Sequence, residues 1–477
     1  MRRTKILATI GPASETPKIL TKMVESGLNA VRCNFSHGTA DDHKNRVDMV
    51  RDVAKKLNTS VGILADLQGP KIRVAKFIDT KIHLEKDAEF ILDAEMDASS
   101  GTSRSVGIDY KELPNDVLNG DILLLDDGKI ILKVKRVEGS KIYTNVEVGG
   151  PLSNNKGINK KGGGLTAPAL TDKDKQDIKT AASLAVDYVA VSFPRDGDDI
   201  RYARKLLEEQ GCFAGLVAKI ERTEAIENIE DIIRASDAVM VARGDLAVEI
   251  GEENVPAAQK MIINKTRELD KIAITATQMM ESMISSPTPT RAEVSDVANA
   301  VLDGTDTVML SAESAAGDYP VEAISAMDRV IRASEQSSLV QIVKKSNIDK
   351  EYARIDEALA VSAVYLANHV KAKALVSLTE SGSTPRWMSR INTDLPIYAL
   401  TRNIDTMGKM TLCRGVTPLI FDSTSMPLED VNKLAVDKII TSGNAENGDW
   451  LILTSGDHMG VHGGTNKVQV LQVGKIT

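Results

Sequence analysis

Several charged and hydroxyl side chains directly follow short apolar runs of the sequence. Lys219 and Glu221 lie two residues apart at the end of one run, and the alternation of side chains along a strand would point both to one side. Asp245 follows the next run, and with Glu221 it would supply two hard oxygen ligands suited to Mg²⁺. Arg32 and Lys219 would then offset phosphate charge. The pattern predicts cations and carboxylates in one cavity.

Simpler interpretations of the same residues stay open. Lys219 and Glu221 could form an ion pair inside a barrel core. Gly244 and Asp245 are a common turn pair, although their amides could hold a carboxylate or a phosphate if they open a helix. From the residues alone we predict a Mg²⁺-dependent enzyme that acts on a small phosphorylated, carboxylate-bearing molecule.

Common catalytic motifs are absent from the sequence. It contains no G-x-x-x-x-G-K-[ST] loop, no H-E-x-x-H motif, no G-x-S-x-G elbow and no H-R-D kinase loop. Only six histidines occur, and none is obviously paired. We therefore do not expect a mechanism centred on histidine.

The candidate residues belong to a regular alternation of short apolar runs and longer helical patterns. Eight runs predict a (β/α)8 TIM barrel, an α/β fold whose active site lies at the carboxyl ends of its strands. The predicted strands are residues 5–10, 30–35, 61–66, 188–193, 215–220, 238–242, 272–276 and 307–311. The charged side chains should therefore meet at one mouth of the barrel.

Two other segments differ from the barrel pattern. Residues 70–166 show period-two runs joined by Gly-containing turns, which predicts antiparallel hairpins and an inserted all-β lid domain. Near residue 356 the alternation restarts, which indicates a C-terminal open α/β domain. We place the barrel at residues 1–69 and 167–337, the lid at 70–166 and the C-terminal domain at 338–477.

Composition restricts the class of protein. The 477 residues exceed the size of one hydrophobic core, and the net charge of −8 argues against a nucleic-acid binder. Three widely separated cysteines, Cys33, Cys212 and Cys413, suit reduced thiols. No signal peptide and no membrane span is recognisable. We expect a soluble cytoplasmic protein that binds neither nucleic acid nor membranes.

Five segments make the sequence resemble the pyruvate kinase family over essentially its whole length. They are residues 4–12 (TKILATIGP), 31–38 (VRCNFSHG), 218–224 (AKIERTE), 240–246 (MVARGDL) and 276–283 (ATQMMESM). The resemblance implies transfer of the phosphoryl group of phosphoenolpyruvate to ADP, giving ATP and an enolate that is protonated to pyruvate. It also implies Mg²⁺ or Mn²⁺ as cofactor, a regulatory role for the C-terminal domain and a homotetramer.

The resemblance gives roles to residues at the barrel mouth. Glu221 and Asp245 would hold the metal, Lys219 would contact the transferring phosphoryl group, and Arg32 would bind the phosphate.

Other matching positions would meet the rest of the substrates. Gly244, Asp245 and Thr277 would receive the carboxylate end, and Thr277 would lie on the proton route, for which Ser311 is a further candidate. The positions that match nucleotide-binding residues are Asn34, Phe35, Ser36, His37, Arg73 and Lys156. Lys156 could instead be a solvated charge at the lid junction.

Lys71 departs from the family pattern. Potassium-requiring members have an acidic residue there, and a threonine and a lysine in place of Leu67 and Gln68. We hypothesise that the Lys71 ammonium takes the place of the monovalent cation, so that K⁺ is not required. The expected acceptors are Asn34, Ser36 and Asp66. The alternative is a lysine that points to water.

A second departure lies in the C-terminal domain. The residues Thr379, Ser381, Gly382, Ser383 and Thr384 form a predicted phosphate-binding loop between a strand and a helix. Members activated by fructose 1,6-bisphosphate usually have a basic residue at Glu380, so we expect a sugar monophosphate or AMP as the effector. A plain helix cap is the alternative.

Two other functions compete with this interpretation. A lyase or aldolase that handles phosphoenolpyruvate or a 2-oxo acid could share the metal-binding carboxylates, but it gives no reason for a β lid with Arg73 and Lys156 at its junctions. A catalytically silent paralogue would have lost charges that this sequence keeps.

Overall fold

Short strands and helices alternate along the chain as the sequence pattern predicts. The structure, a computed structural model, describes residues 2–337, 352, 354–391, 393–427, 430–457 and 463–475. Its strands are β1 (Lys5–Thr9), β2 (Ala30–Asn34), β3 (Gly62–Asp66), β4 (Lys81–Leu84), β5 (Glu89–Asp93), β6 (Ser105–Gly107), β7 (Ile122–Leu125), β8 (Ile130–Glu138), β9 (Lys141–Val148), β10 (Gly150–Ser153), β11 (Ile158–Lys160), β12 (Tyr188–Val191), β13 (Gly215–Ile220), β14 (Ala238–Ala242), β15 (Ile272–Ala276), β16 (Thr307–Leu310), β17 (Ala374–Leu378), β18 (Ile397–Thr401), β19 (Val416–Ile420), β20 (Trp450–Gly456) and β21 (Thr465–Gln472).

The α-helices mostly follow the strands of the barrel and of the C-terminal domain. They are α1 (Pro17–Glu25), α2 (Ala40–Lys56), α3 (Leu113–Asp116), α4 (Asp172–Ser183), α5 (Gly197–Glu208), α6 (Thr223–Glu227), α7 (Ile229–Ala235), α8 (Arg243–Ile250), α9 (Val255–Glu268), α10 (Arg291–Leu302), α11 (Ala312–Ala315), α12 (Pro320–Glu335), α13 (Ile355–His369), α14 (Ser383–Arg390), α15 (Ile404–Met410) and α16 (Val431–Thr441). Helices α2, α4 and α10 begin with capping boxes, in which a threonine and an acidic side chain satisfy each other's backbone amides.

Parallel strands close into the predicted barrel. Their order around it is β1-β16-β15-β14-β13-β12-β3-β2, and the lid interrupts the chain between β3 and β12. Strand residues are buried on both faces because helices cover the outside and side chains fill the inside. The carboxyl ends of all these strands therefore form one mouth.

The insertion is mostly sheet. Its larger sheet has the order β11-β7-β8-β9-β5-β6, and β10 pairs with β4 in a second small sheet. The predicted turn at residues 126–128 joins β7 to β8, and all its residues have positive φ, as a tight hairpin turn requires. The prediction of an all-β insertion missed the short helix α3, whose pattern of one turn is too brief to recognise.

The C-terminal domain is an open sheet of order β19-β18-β17-β20-β21 with helices against it, and β21 runs antiparallel to β20. Its apolar core is continuous with the inside of the barrel at the end opposite the mouth. Polar contacts reinforce this junction: Lys5 Nζ donates to Val416 O at 2.6 Å, and Arg390 forms a buried ion pair with Asp306.

The predicted fold class is therefore confirmed. The exact domain boundaries stay a prediction, and the boundary at residue 338 lies outside the described residues. Within the described ranges, no helix has the length and apolar character that crossing a membrane requires.

Candidate active site

Arg32 and Lys219 meet on one buried carboxylate at the barrel mouth. Arg32 Nε donates to Asp66 Oδ2 at 2.6 Å, and Lys219 Nζ lies 3.5 Å from Asp66 Oδ1. Lys219 Nζ also lies 2.9 Å from Glu221 Oε1, as their alternation along β13 predicts. Asp66 and Glu221 each expose only 1% of their area. The cluster therefore holds two cations and two carboxylates away from bulk water.

The charges in this cluster support one another. Burial raises the pKa of Glu221, Lys219 opposes that rise, and nearby Asp245 adds to it. Burial also lowers the pKa of Lys219, but Asp66 and Glu221 outweigh burial and hold it above its usual value. Lys219 is therefore a permanent cation beside the carboxylates.

The two residues directly after strand β12 supply positioning groups that the sequence analysis missed. Ser192 Oγ accepts a hydrogen bond from Lys219 Nζ at 2.7 Å and donates to Leu67 O at 2.8 Å. The backbone amide of Phe193, which has φ of +56°, donates to Glu221 Oε2 at 2.8 Å. The sequence signal that could have identified them is their position at the end of a predicted barrel strand.

Gly244 and Asp245 open helix α8, as one of the two sequence interpretations requires. The Gly244 amide donates to Thr277 Oγ1 at 2.9 Å, so this loop and the loop after β15 are joined. Thr277 has φ of +69°, a left-handed conformation that is strained for a β-branched residue. Such strain persists only where neighbouring groups hold it.

Arg243 is the group that holds this turn, and the sequence analysis gave it no role. Its Nη2 donates to Thr277 O at 2.6 Å, and its Nη1 pairs with Asp296 at 2.7 Å. On the other side, Glu313 accepts the amides of Met280 at 3.1 Å and Ser311 at 2.7 Å. Ser311 thus follows β16 at the mouth, next to the loop that carries Thr277.

Lys71 lies at the mouth rather than in open solvent, but its partner differs from the expected ones. Its Nζ lies 3.2 Å from Asp245 Oδ1. Asn34 Oδ1 accepts the Ser36 amide at 3.1 Å. Asp66 is already engaged by two other cations, so Asp245 is the carboxylate that offers an acceptor.

The carboxylates suit a hard divalent cation. Asp66 Oδ1 is buried and, among the described residues, has no neighbour at hydrogen-bonding distance other than the Lys219 ammonium at 3.5 Å, and the negative charge of Asp245 helps to raise the pKa of Glu221. No cluster of three or more His, Cys, Asp or Glu suited to a metal occurs in the part of the chain that the structure describes. Mg²⁺ needs only one or two carboxylates, because water and substrate oxygens complete its shell.

Two clefts lie beside this cluster. One of about 1020 Å³ runs between the lid hairpin and helices α8 and α9, and its lining includes Lys71, Gly244 and Asp245. The other, of about 690 Å³, is lined by Ser36, His37 and Arg73. Both have the size of small-molecule sites and lie between lid and barrel.

Most of the other predicted nucleotide residues lie at the end of β2 or directly after it. The Phe35 ring stacks on His43 with centroids 3.8 Å apart, and the His37 amide donates to Asn34 O at 3.3 Å. Lys156 Nζ pairs with Asp126 at 2.8 Å, so its charge is not simply solvated.

The predicted effector loop precedes helix α14 and is internally hydrogen bonded. Thr379 Oγ1 accepts the Gly382 amide, and the hydroxyls of Ser381 and Ser383 contact each other, both at 2.9 Å. Thr384 Oγ1 lies 2.9 Å from Thr465 Oγ1.

The acidic residue of this loop is paired. Glu380 accepts from Asn403 Nδ2 at 2.8 Å and from Arg402 Nε at 3.3 Å. Arg402, which the sequence analysis missed, therefore places a cation beside the loop.

Comparison with known proteins agrees with the fold. A family model described as "Pyruvate kinase, barrel domain" matches residues 1–324, and one described as "Pyruvate kinase, alpha/beta domain" matches residues 357–471. The chain is 53% identical over 477 residues to pyruvate kinase II of Salmonella typhimurium, with 99% of both chains covered. It is 54% identical over 460 residues to a pyruvate kinase of Haemophilus influenzae, with 96% of both covered.

Proposed function

This chain belongs to the pyruvate kinase family, and on that premise we propose which of its residues perform each part of the reaction. The enzyme is a phosphotransferase that moves the phosphoryl group of phosphoenolpyruvate to ADP, giving pyruvate and ATP. We assign the transfer to the charge cluster at the barrel mouth. The observation that carries this assignment is the 2.9 Å contact between Lys219 and Glu221, beside a carboxylate that also binds Arg32.

Lys219 stabilises the migrating phosphoryl group. Negative charge spreads over the phosphoryl oxygens during transfer, and a preorganised ammonium in a buried site lowers the energy of that state. Arg32 binds the same phosphate before transfer. Its Nε donates to Asp66 Oδ2 at 2.6 Å, so the guanidinium is held in place at the barrel mouth.

Glu221 and Asp245 would hold Mg²⁺ or Mn²⁺. When bound, such an ion would supply positive charge that offsets the charge of the phosphate. Ser192 and the Phe193 amide keep Lys219 and Glu221 in fixed positions, so little reorganisation is needed when substrate binds.

The carboxylate of the substrate lies against the start of helix α8. Gly244 and Asp245 lie in the first turn of this helix, whose backbone amides are of the kind that bind anions, and the Gly244 amide also donates to the Thr277 hydroxyl beside them. We place the Thr277 hydroxyl on the proton route to the enolate, with Ser311 as a further candidate. ADP is placed by Asn34, Phe35, Ser36, His37, Arg73 and Lys156.

A coupled assay tests this function directly. We expect pyruvate to form from phosphoenolpyruvate only when both ADP and Mg²⁺ are present, with one ATP per pyruvate. A lyase or aldolase would consume its substrate without making ATP, and a silent binding protein would form no pyruvate. Either of those results would refute the proposal.

We propose further that the enzyme does not need K⁺, because the Lys71 ammonium supplies a cation 3.2 Å from Asp245. We expect turnover in tetramethylammonium buffer to lie within about twofold of turnover in KCl at equal ionic strength. A positioned charge in such a site is worth roughly 10²–10³ in rate. A stimulation by K⁺ of that size would therefore contradict the proposal.

The effector is proposed to be a sugar monophosphate or AMP. Thr379, Ser381, Gly382, Ser383 and Thr384 would hold one phosphate through hydroxyls and amides. Glu380 would oppose a second phosphate, because its carboxylate offsets the charge of Arg402. We expect glucose 6-phosphate or AMP to lower the half-saturating phosphoenolpyruvate concentration by about fivefold or more.

A titration with fructose 1,6-bisphosphate provides the contrast. It should have little effect on the natural enzyme and a larger one on the Glu380→Lys variant, which adds a cation at the loop. Strong bisphosphate activation of the unaltered enzyme would refute this effector class. A homotetramer and a cytoplasmic location are likewise proposed from the family.

A further inference from the structure

The lid returns to the barrel through three consecutive glycines, residues 162–164, which we call the glycine segment. Gly162, Gly163 and Gly164 have φ of +83°, +77° and +87°. Side chains rarely adopt this left-handed region, so the segment follows a path that other residues would resist. It connects β11 of the lid to the start of α4, and it therefore sets how the lid sits on the barrel.

The glycine segment wraps around one carboxylate of the barrel. The Gly164 amide donates to Glu224 Oε1. A Cβ atom on Gly163 would lie 2.8–2.9 Å from all three carboxylate atoms of Glu224, so a side chain at residue 163 would displace the carboxylate from this contact. Arg222 Nε lies 3.6 Å from Glu224 Oε2 and so orients the carboxylate from the other side.

Further hydrogen bonds fasten the same segment to the barrel. Arg222, which exposes only 3% of its area, donates from Nη2 to Leu165 O at 2.6 Å. The Gly162 amide donates to Glu249 O at 3.2 Å, and the Glu249 carboxylate accepts the Thr223 amide at 2.9 Å. The lid therefore ends on a connected set of barrel groups.

These barrel groups lie close in the chain to the proposed metal ligands. Glu224 lies on α6, three residues after Glu221, which itself follows β13, and Glu249 lies one turn beyond Asp245 on α8. A lid held by Glu224 is thus held relative to both carboxylates.

We infer that Glu224 is a positioning residue that fixes the lid over the nucleotide through the glycine segment. The inference rests on the proposed function, in which Arg73 and Lys156 at the lid junctions bind ADP. Without the Glu224 contact the lid samples more open positions, and part of the binding energy for ADP is then spent on restoring the closed arrangement. The effect therefore falls mainly on KM for ADP rather than on kcat.

Gly163→Ala and Gly162→Ala form a matched pair that tests this inference. Both variants place a methyl group at nearly the same φ, but nothing lies within 4 Å of a Cβ on Gly162. The difference in KM for ADP between the two variants therefore measures the effect of displacing the Glu224 carboxylate. Since a hydrogen bond to a charged group is worth about a factor of ten in binding, we expect KM for ADP to rise about tenfold more in Gly163→Ala.

Variants of Glu224 provide a second test of the inference. Glu224→Ala should raise KM for ADP by a similar factor. Glu224→Gln should keep most of the affinity, because its amide oxygen still accepts from Gly164, and Glu227→Ala, at an exposed position on the same helix, should leave KM unchanged. In the double variant Gly163→Ala/Glu224→Ala, the two losses should not add, because both remove one contact.

Hydrogen–deuterium exchange of the enzyme without substrates separates this inference from the proposed function. Peptides covering residues 160–168 should exchange faster in Gly163→Ala and Glu224→Ala than in their controls. Equal KM and equal exchange in the matched pairs would overturn the role of Glu224, whereas loss of ADP-dependent turnover in the unaltered enzyme would overturn the proposed function instead.

Discussion

Replacing Lys219 with methionine is expected to lower kcat by about 10³ or more, while the enzyme still folds and still binds its divalent ion. Removal of one uncharged donor from a transition-state site costs roughly 10²–10³ in kcat, and Lys219 carries a full charge. Its ammonium lies 2.9 Å from Glu221, inside the cluster that we assign to phosphoryl transfer. Steady-state kinetics with phosphoenolpyruvate and ADP measures the loss.

Lys161→Met is the matched control for this experiment. Lys161 is an exposed lysine on the wall of the large cleft between lid and barrel, and it lies outside the cluster of Asp66, Lys219 and Glu221. It should keep kcat within about threefold, because an exposed cation contributes little. Thermal unfolding of both variants verifies folding. If Lys219→Met kept kcat near that of the control, Lys219 would have no part in the chemical step.

The large effect expected at Lys219 traces back to a simple sequence feature. Two residues at positions i and i+2 of a strand share a side, and parallel barrel strands end at one mouth. These two rules bring Lys219 to Glu221 and place Asp66 and Arg32 beside them. Strand-end residues were therefore predictable from local pattern and fold class together.

The residues that the sequence analysis missed act through contacts that no local pattern determines. Arg243 was visible at a strand end, but its binding to Thr277 O depends on the left-handed turn of the neighbouring strand's loop. The Phe193 amide binds Glu221 through backbone geometry alone. Backbone donors leave no trace in residue type, so only the assembled structure shows them.

Lys71 illustrates the same limit for a charged side chain. The sequence predicts that Lys71 lies where other members of the family bind a monovalent cation, but it does not determine which carboxylate pairs with the ammonium. Asp66 is engaged by Arg32 and Lys219, and Asp245 therefore receives the ammonium.

Lys71→Glu is expected to make the enzyme dependent on potassium. The change removes the cation beside Asp245 and adds a carboxylate there. The two carboxylates would then repel each other, and both would repel the phosphate of the substrate. We expect turnover in tetramethylammonium buffer to fall about 10²-fold, by the usual value of one positioned charge, and KCl to restore at least about tenfold of it. Titration with KCl at constant ionic strength measures both effects.

Lys161→Glu makes the same change of charge on the wall of the same cleft, at a lysine outside the ion pair of Lys71 with Asp245. It should lose little activity and gain no response to K⁺, because screening by solvent weakens an exposed charge. A general field effect would give both variants the same loss and the same salt response. Equal behaviour of the two would therefore remove Lys71 from the cation role, whereas potassium dependence confined to Lys71→Glu would show that the ammonium beside Asp245 does the work of a monovalent ion.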